Sequence, residues 1–187
     1  SHLFARSRSG LIGPDIQPLC FGMPMYLPGM EGPPNGFTVM GGMIRPASRG
    51  TLTLASADPG RAPLIDPGYL SESVDLDALT YAVELAREIG NQPALAGWQP
   101  SELYPGREVT GAALRDYVRR TAITYHHPAG TCKMGVDELA VVDPELRVSG
   151  FDGLRVADAS VMPAVTSGNT HAPAMLIGER AADLVAG

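Results

Sequence analysis

The sequence predicts an α+β fold: a mainly antiparallel sheet with helices packed on one side, formed by about residues 9 to 124. Two observations carry this. Short strand-like runs alternate with Gly- and Pro-rich turns through roughly the first 70 residues, and two stretches of helical periodicity follow. At 187 residues and 44% hydrophobic, the chain can bury a core as one domain or as two small lobes.

Residues 9 to 36 are dense in punctuation such as Gly13-Pro14, Pro28-Gly29 and Gly32-Pro33-Pro34. Only short strands, Leu19–Phe21 and Met23–Leu27, fit between those turns. Met23, Met25, Met30, Met40 and Met43 read as fillers of apolar gaps, with pocket lining as the alternative. Phe37-Thr38-Val39-Met40 reads as a strand before the Gly41-Gly42 break. After the turn at Arg45–Gly50, the run Thr51-Leu52-Thr53-Leu54-Ala55-Ser56 alternates strictly, which predicts a half-buried strand with Leu52 and Leu54 on one face. Asp58-Pro59-Gly60 and Asp66-Pro67-Gly68 are turn signals flanking Leu64-Ile65. Next, Leu76, Leu79, Ala82, Val83, Ala86 and Ile89 recur at three and four, which predicts a helix capped by Ser73 or Asp75 and stopped by Gly90. A second helix, from about Thr110 to Arg120, sets Leu114, Tyr117 and Val118 on one side, and Pro93 to Gly106 is a loop holding Trp98.

The chemistry-bearing stretch is Tyr-His-His-Pro-Ala-Gly-Thr-Cys-Lys-Met-Gly, residues 125 to 135. His127 precedes Pro128, which biases its backbone to extended geometry. Gly130 and Gly135 let the chain bend around Thr131 and Lys133. A histidine aimed by such a scaffold suits general acid–base work; an ordinary loop His-Pro is the alternative. Downstream, Leu154–Ser160 reads as a short buried strand ending at Asp158, which either forms a turn or serves as a ligand at a strand's C-terminal end. Pro173 suits the first turn of a final helix, with Thr170 or His171 at its mouth. Such a helix start can hold an electron-rich ligand edge, or Asn169 or Thr170 is simply its N-cap.

Composition narrows the partners. A net charge of -6, with no cationic cluster interleaved with aromatics, argues against nucleic acid. Cys20 and Cys132 make no disulfide framework and no zinc quartet. His126, His127 and Cys132 lack a fourth ligand at suitable spacing, so no metal is expected. No apolar run approaches the roughly 18 to 20 residues that span a bilayer. The working expectation for location is cytoplasmic, with further sequence expected ahead of Ser1.

Several separate motifs, in order, resemble the glucose–methanol–choline (GMC) oxidoreductases. Tyr125–Gly135, Val142–Val148, Gly153–Ser160, Ser167–Pro173 and Ile177–Leu184 are similar to the C-terminal part of that family. Arg45–Pro67, with Arg-Pro-x-Ser-Arg-Gly and Ala-Asp-Pro, and Asp75–Ile89 are similar to its substrate-domain region. The resemblance implies an FAD-dependent alcohol dehydrogenase or oxidase, choline dehydrogenase-like, acting on a small-molecule alcohol. It implies a substrate-binding region at 1–124. Residues 125–187 would hold the active-site histidine segment plus a strand and helix that complete the C-terminal part of an FAD-binding domain. The active-site pair falls on His127 and Asn169, His126 projects toward the substrate pocket, and Asp158, Ala159, Asn169, Thr170 and His171 approach the flavin. Family members often have Asn or Gln at the place of His171, which leaves a second base candidate.

The magnitudes agree with a paired site. A free imidazole of pKa about 6.5 facing a hydroxyl near that of water, about 15.7, is roughly nine units short, or about 12 kcal/mol. The base alone does not suffice, so proton loss must be coupled to hydride departure, or the developing oxyanion must be stabilised by a donor such as Asn169. The family's Gly-x-Gly-x-x-Gly phosphate cradle has no counterpart here, since no two of the 22 glycines are spaced two apart. The chain is therefore expected to be a C-terminal fragment or split subunit. It is expected to be inactive and colourless alone, with FAD held mainly by an N-terminal FAD-binding domain or subunit. A non-redox lyase on the same scaffold and a non-catalytic binding module are the other classes; the retained base argues against the module.

Overall fold

The computed structural model describes residues 1–98 and 100–187, which separate into two compact units. Strands are short and antiparallel, and helices dominate, an α+β architecture.

The first unit comprises Ser1–Ser48 and Tyr69–Tyr125. Strand β1 (Leu19–Phe21) pairs antiparallel with β2 (Thr38–Met40) in the register Leu19↔Met40, Cys20↔Val39, Phe21↔Thr38. The predicted strand Met23–Leu27 does not form. Pro24 and Pro28 remove ladder donors, and the Met25 N–H is taken by Thr38 Oγ1 at 2.9 Å. Met23 and Met25 are exposed rather than core-filling.

Helix α1 (Ser73–Gly90) buries Leu76, Ala78 and Ala82; Ala78 and Ala82 pack with Ile16, and Ala5, Met43 and Leu85 lie against them. Neither Ser73 nor Asp75 caps it: the N-cap is Glu72, with no side-chain cap bond. The Asp75 carboxylate instead accepts the backbone N–H of Ala47 (2.8 Å) and Ser48 (2.7 Å) and is almost fully buried. A first-turn Asp can cap its own helix or pin a neighbouring loop; the Ala47 and Ser48 N–H groups decide for the loop. At the other end, the Arg87 guanidinium meets Glu102 at 3.0 Å and donates to Gly106 O (2.9 Å) and Val109 O (2.8 Å). These bonds hold the connection into α2 (Gly111–Thr121), whose Leu114 and Val118 are buried. Pro93–Trp98 is a short 3-10 turn with Trp98 largely exposed. Tyr125 ends the unit, its hydroxyl donating to the buried Gln17 Oε1 at 2.9 Å. Burial pushes that phenol above its ordinary range. A side chain at Gly42 would strike the Tyr125 ring and Gln17 O, at 2.6 and 2.7 Å, so only glycine fits there.

The second unit comprises Arg49–Gly68 and His126–Gly187. Strand β3 (Thr51–Thr53) pairs antiparallel with β4 (Leu64–Asp66), with Leu52 opposite Ile65. The expected half-buried face is absent: Leu52 and Leu54 are exposed, and the strand stops before Leu54. A Ser56–Asp58–Gly60 chain of side-chain-to-backbone bonds, 3.1 and 2.9 Å, turns the backbone away from the ladder. Val142, Leu146, Val161 and Ala181 form the buried core, with Met134, Val148, Val156, Ile177 and Leu184 packed on it. Leu154–Ser160 is not a strand; it makes only an isolated bridge, Arg147↔Arg155, before turning at Asp158 into the 3-10 turn Ala159–Val161. Helix α3 (His171–Ala186) docks through Ala181, and Arg155 bonds Leu184 O at 3.2 Å near its end. No helix of the described residues is long and apolar enough to cross a membrane.

Candidate active site

Three segments of the second unit meet around His127. The histidine segment runs beside the 159–161 turn, where the N–H groups of Gly130, Cys132 and Met134 donate to the carbonyls of Ala159 (3.4 Å), Ser160 (2.9 Å) and Val161 (2.8 Å). Gly130 has φ +87°, and a Cβ there would lie 3.1 Å from Met162 O. The bend that follows His127 therefore favours glycine for its dihedral, and a side chain there would also press on Met162 O. His126, just before, is exposed and adopts φ 61°, a left-handed conformation unusual for a residue with a side chain.

The His127 ring is held at both nitrogens. Asn169 Nδ2 lies 2.8 Å from Nε2, and Thr170 Oγ1 lies 3.0 Å from Nδ1. With Asn169 Nδ2 facing the ring, Nε2 accepts and the ring proton belongs on Nδ1, toward the threonine oxygen; with the amide turned over, the roles reverse. Thr170 is buried while His127 is half-buried and Asn169 exposed. Thr170 is the N-cap of α3, yet its side chain makes no cap bond and its backbone is helical (φ -83°, ψ -4°). Proline explains part of this: Pro173 stands at the third helical position, where a capping hydroxyl often finds its N–H donor.

Asp158 Oδ1 accepts the Ser160 N–H at 2.7 Å and so caps the 159–161 turn. The neighbouring Ser160 hydroxyl and that N–H together hold the Asp158 carboxyl below the usual carboxylate range. Of the two, the N–H has hydrogen-bond geometry; Ser160 Oγ is buried without an aligned partner among the described residues. One oxygen of Asp158 thus serves the turn, and the residue remains exposed. His171 is exposed at the first position of α3. Among the described residues no group of three His, Cys, Asp or Glu is placed to hold a metal ion.

The family model described as GMC oxidoreductase matches residues 46–178. The chain belongs to the GMC oxidoreductase family. An uncharacterized GMC-type oxidoreductase of Mycobacterium bovis is 44% identical over 97% of this chain, and the choline oxidase of Arthrobacter globiformis is 42% identical over 98%. The crystal structure of pyridoxine 4-oxidase from Mesorbium loti superposes on 97% of the chain with a TM-score of 0.89 at 35% identity. The chain spans about a third of the length of these relatives: 35% of the first two and 36% of the third.

Within this GMC segment, the structure brings together His127, Asn169 and Thr170, and sets Ala159 beside the histidine segment through Gly130. The Thr170–Nδ1 bond joins residues 43 apart, and sequence reading gave it no notice. The one signal available was the spacing Thr170 to Pro173, which deprives the threonine of a common capping partner.

Proposed function

We propose that this chain is the C-terminal part of a flavin-dependent alcohol oxidoreductase, in which His127 is the base and Asn169 the neutral donor to the substrate oxygen. The contact of Asn169 Nδ2 with His127 Nε2, at 2.8 Å, carries the reading. A proton acceptor and an N–H donor at that separation would both reach one small oxygen, which supports the pairing. Nε2 has a single in-plane lone pair, so a substrate hydroxyl must displace the amide to engage it. The amide N–H released in that exchange is then available to the oxygen as negative charge develops. His127 takes the hydroxyl proton, while Asn169 offsets part of the roughly 12 kcal/mol that a free alkoxide would cost.

The donor set fits the edge of an FAD ring. The first N–H groups of α3 have no intrahelical partner, that start carries the positive end of the helix dipole, and Ala159 lies beside the histidine segment. Ala159, Asn169, Thr170 and His171 would face the cofactor, which supplies the hydride acceptor when bound; Asp158 fixes the turn and His126 forms pocket wall. In this assignment residues 1–124 bind substrate, residues 125–187 complete the FAD-binding domain, and the phosphate-cradling half lies on an N-terminal domain or subunit. Small alcohols such as choline are the first substrates to try, in line with the choline oxidase relative.

The test is anaerobic mixing of the flavin-loaded whole enzyme carrying this segment with a panel of small alcohols. Flavin bleaching matched by one carbonyl product is expected. Substrate cleavage with unchanged flavin would replace this reading with a lyase, and binding without turnover would leave a binding module.

A further inference from the structure

We propose that Thr170 is a positioning residue that selects the base-competent tautomer of His127. The inference rests on the reading above that His127 Nε2 takes the substrate proton. A neutral imidazole has one N–H and one lone pair, and only the form protonated at Nδ1 offers Nε2 as a base. Free imidazole side chains in water favour the opposite form, so a site that uses Nε2 must supply an acceptor at Nδ1.

Thr170 Oγ1 is that acceptor, 3.0 Å from Nδ1. Three features of the fold commit it to the ring. Pro173 removes the N–H that a capping hydroxyl at this position often binds. The helical backbone of Thr170 departs from the extended geometry of a capping residue, and no side-chain cap bond forms. The residue is only 9% exposed, so water competes poorly for its hydroxyl. Asn169 reinforces the choice from the other side, because its amide N–H groups repel a protonated Nε2.

The arrangement also suits the step after proton uptake. Once Nε2 is protonated, the imidazolium carries two N–H groups, and Thr170 goes on accepting from Nδ1 without reorientation. A self-consistent alternative exists on the same atoms: the threonine hydroxyl donating to Nδ1, and a flipped Asn169 accepting from Nε2–H. That state cannot take a proton at Nε2, so the two arrangements make opposite chemical claims.

Long-range 15N–1H correlation on the 187-residue chain reads the tautomer directly, with no flavin and no turnover required. We expect neutral His127 to carry its proton on Nδ1, Thr170→Val to move the population toward Nε2–H, and Thr170→Ser to retain the wild-type form. A wild-type proton on Nε2, or a Thr170→Val spectrum with the same tautomer, overturns the proposal. In the flavin-loaded whole enzyme, Thr170→Val should lower kcat by about three- to tenfold, the factor one neutral hydrogen bond is worth, with KM little changed and Thr170→Ser restoring the rate. Failure of His127→Ala to slow turnover would instead sink the base assignment and leave the tautomer result standing.

Discussion

A double-mutant cycle on His127 and Asn169 in the flavin-loaded whole enzyme separates a working pair from two adjacent residues. Removing a positioned base lowers turnover by about 10² to 10⁴, so His127→Ala should cost about 10³ in kcat, near 4 kcal/mol. Removing one oxyanion-type donor is worth about 10 to 10³, so Asn169→Ala should cost about 10², near 2.7 kcal/mol. Independent residues would multiply to about 10⁵. These two side chains touch at 2.8 Å and are assigned to the same substrate oxygen, so their effects should couple by about 1 to 2 kcal/mol. The double variant should therefore fall only by about 10⁴. The assay is single-turnover flavin reduction under anaerobic conditions, which reports the chemical step rather than product release. A double variant showing the full product of the single effects would break the paired-site reasoning. Loss of flavin reduction in His171→Ala, with His127→Ala nearly normal, would move the base to His171.

Further outcomes concern the scaffold and can be measured on the chain itself. Asp75→Ala removes two hydrogen bonds from backbone N–H groups to a buried carboxylate, about 1.5 to 3 kcal/mol each; an unfolding free energy in urea lowered by less than about 1 kcal/mol would show the 45–48 segment to be held otherwise. Gly130→Ala should destabilise by about 1 to 3 kcal/mol, since alanine must adopt φ near +87° with its methyl against Met162 O, and an unchanged melting curve would contradict that geometry. Asp158 titrates below its unfolded value, so its contribution is present above about pH 4 and is lost as pH falls through the folded value. Wild type should therefore lose more urea resistance than Asp158→Asn between about pH 5 and pH 3, by a modest margin because the group is exposed; parallel losses would remove the carboxylate from that role.

Local patterns were legible wherever a segment's own residues decide its state. Periodicity alone located α1 and α2, because a stripe such as Leu76, Leu79 and Ala82, or Leu114 and Val118, has a buried side whatever covers it. The motifs around His127 and Asn169 identified the family for the same reason: they are contiguous runs of side chains. Strand and cap assignments fared worse where a competing partner lay far away in sequence. Asp75 looked like a cap until the donors of Ala47 and Ser48, 28 and 27 residues distant, claimed its carboxylate. Leu154–Ser160 had strand composition, but a strand needs a ladder, and the Asp158 cap turns the chain before one forms.

The sequence by itself determined the helices, the family and the identity of the two candidate groups, His127 and Asn169. Tertiary structure alone decided which atoms meet. The hydrogen bonds at Nε2 and Nδ1 close loops of 42 and 43 residues, and nothing local to either segment fixes the direction in which a ring or a hydroxyl faces. That direction follows from packing the 159–161 turn and α3 onto one core of Val142, Leu146, Val161 and Ala181. It follows too from a proline that leaves a threonine hydroxyl without a common capping partner.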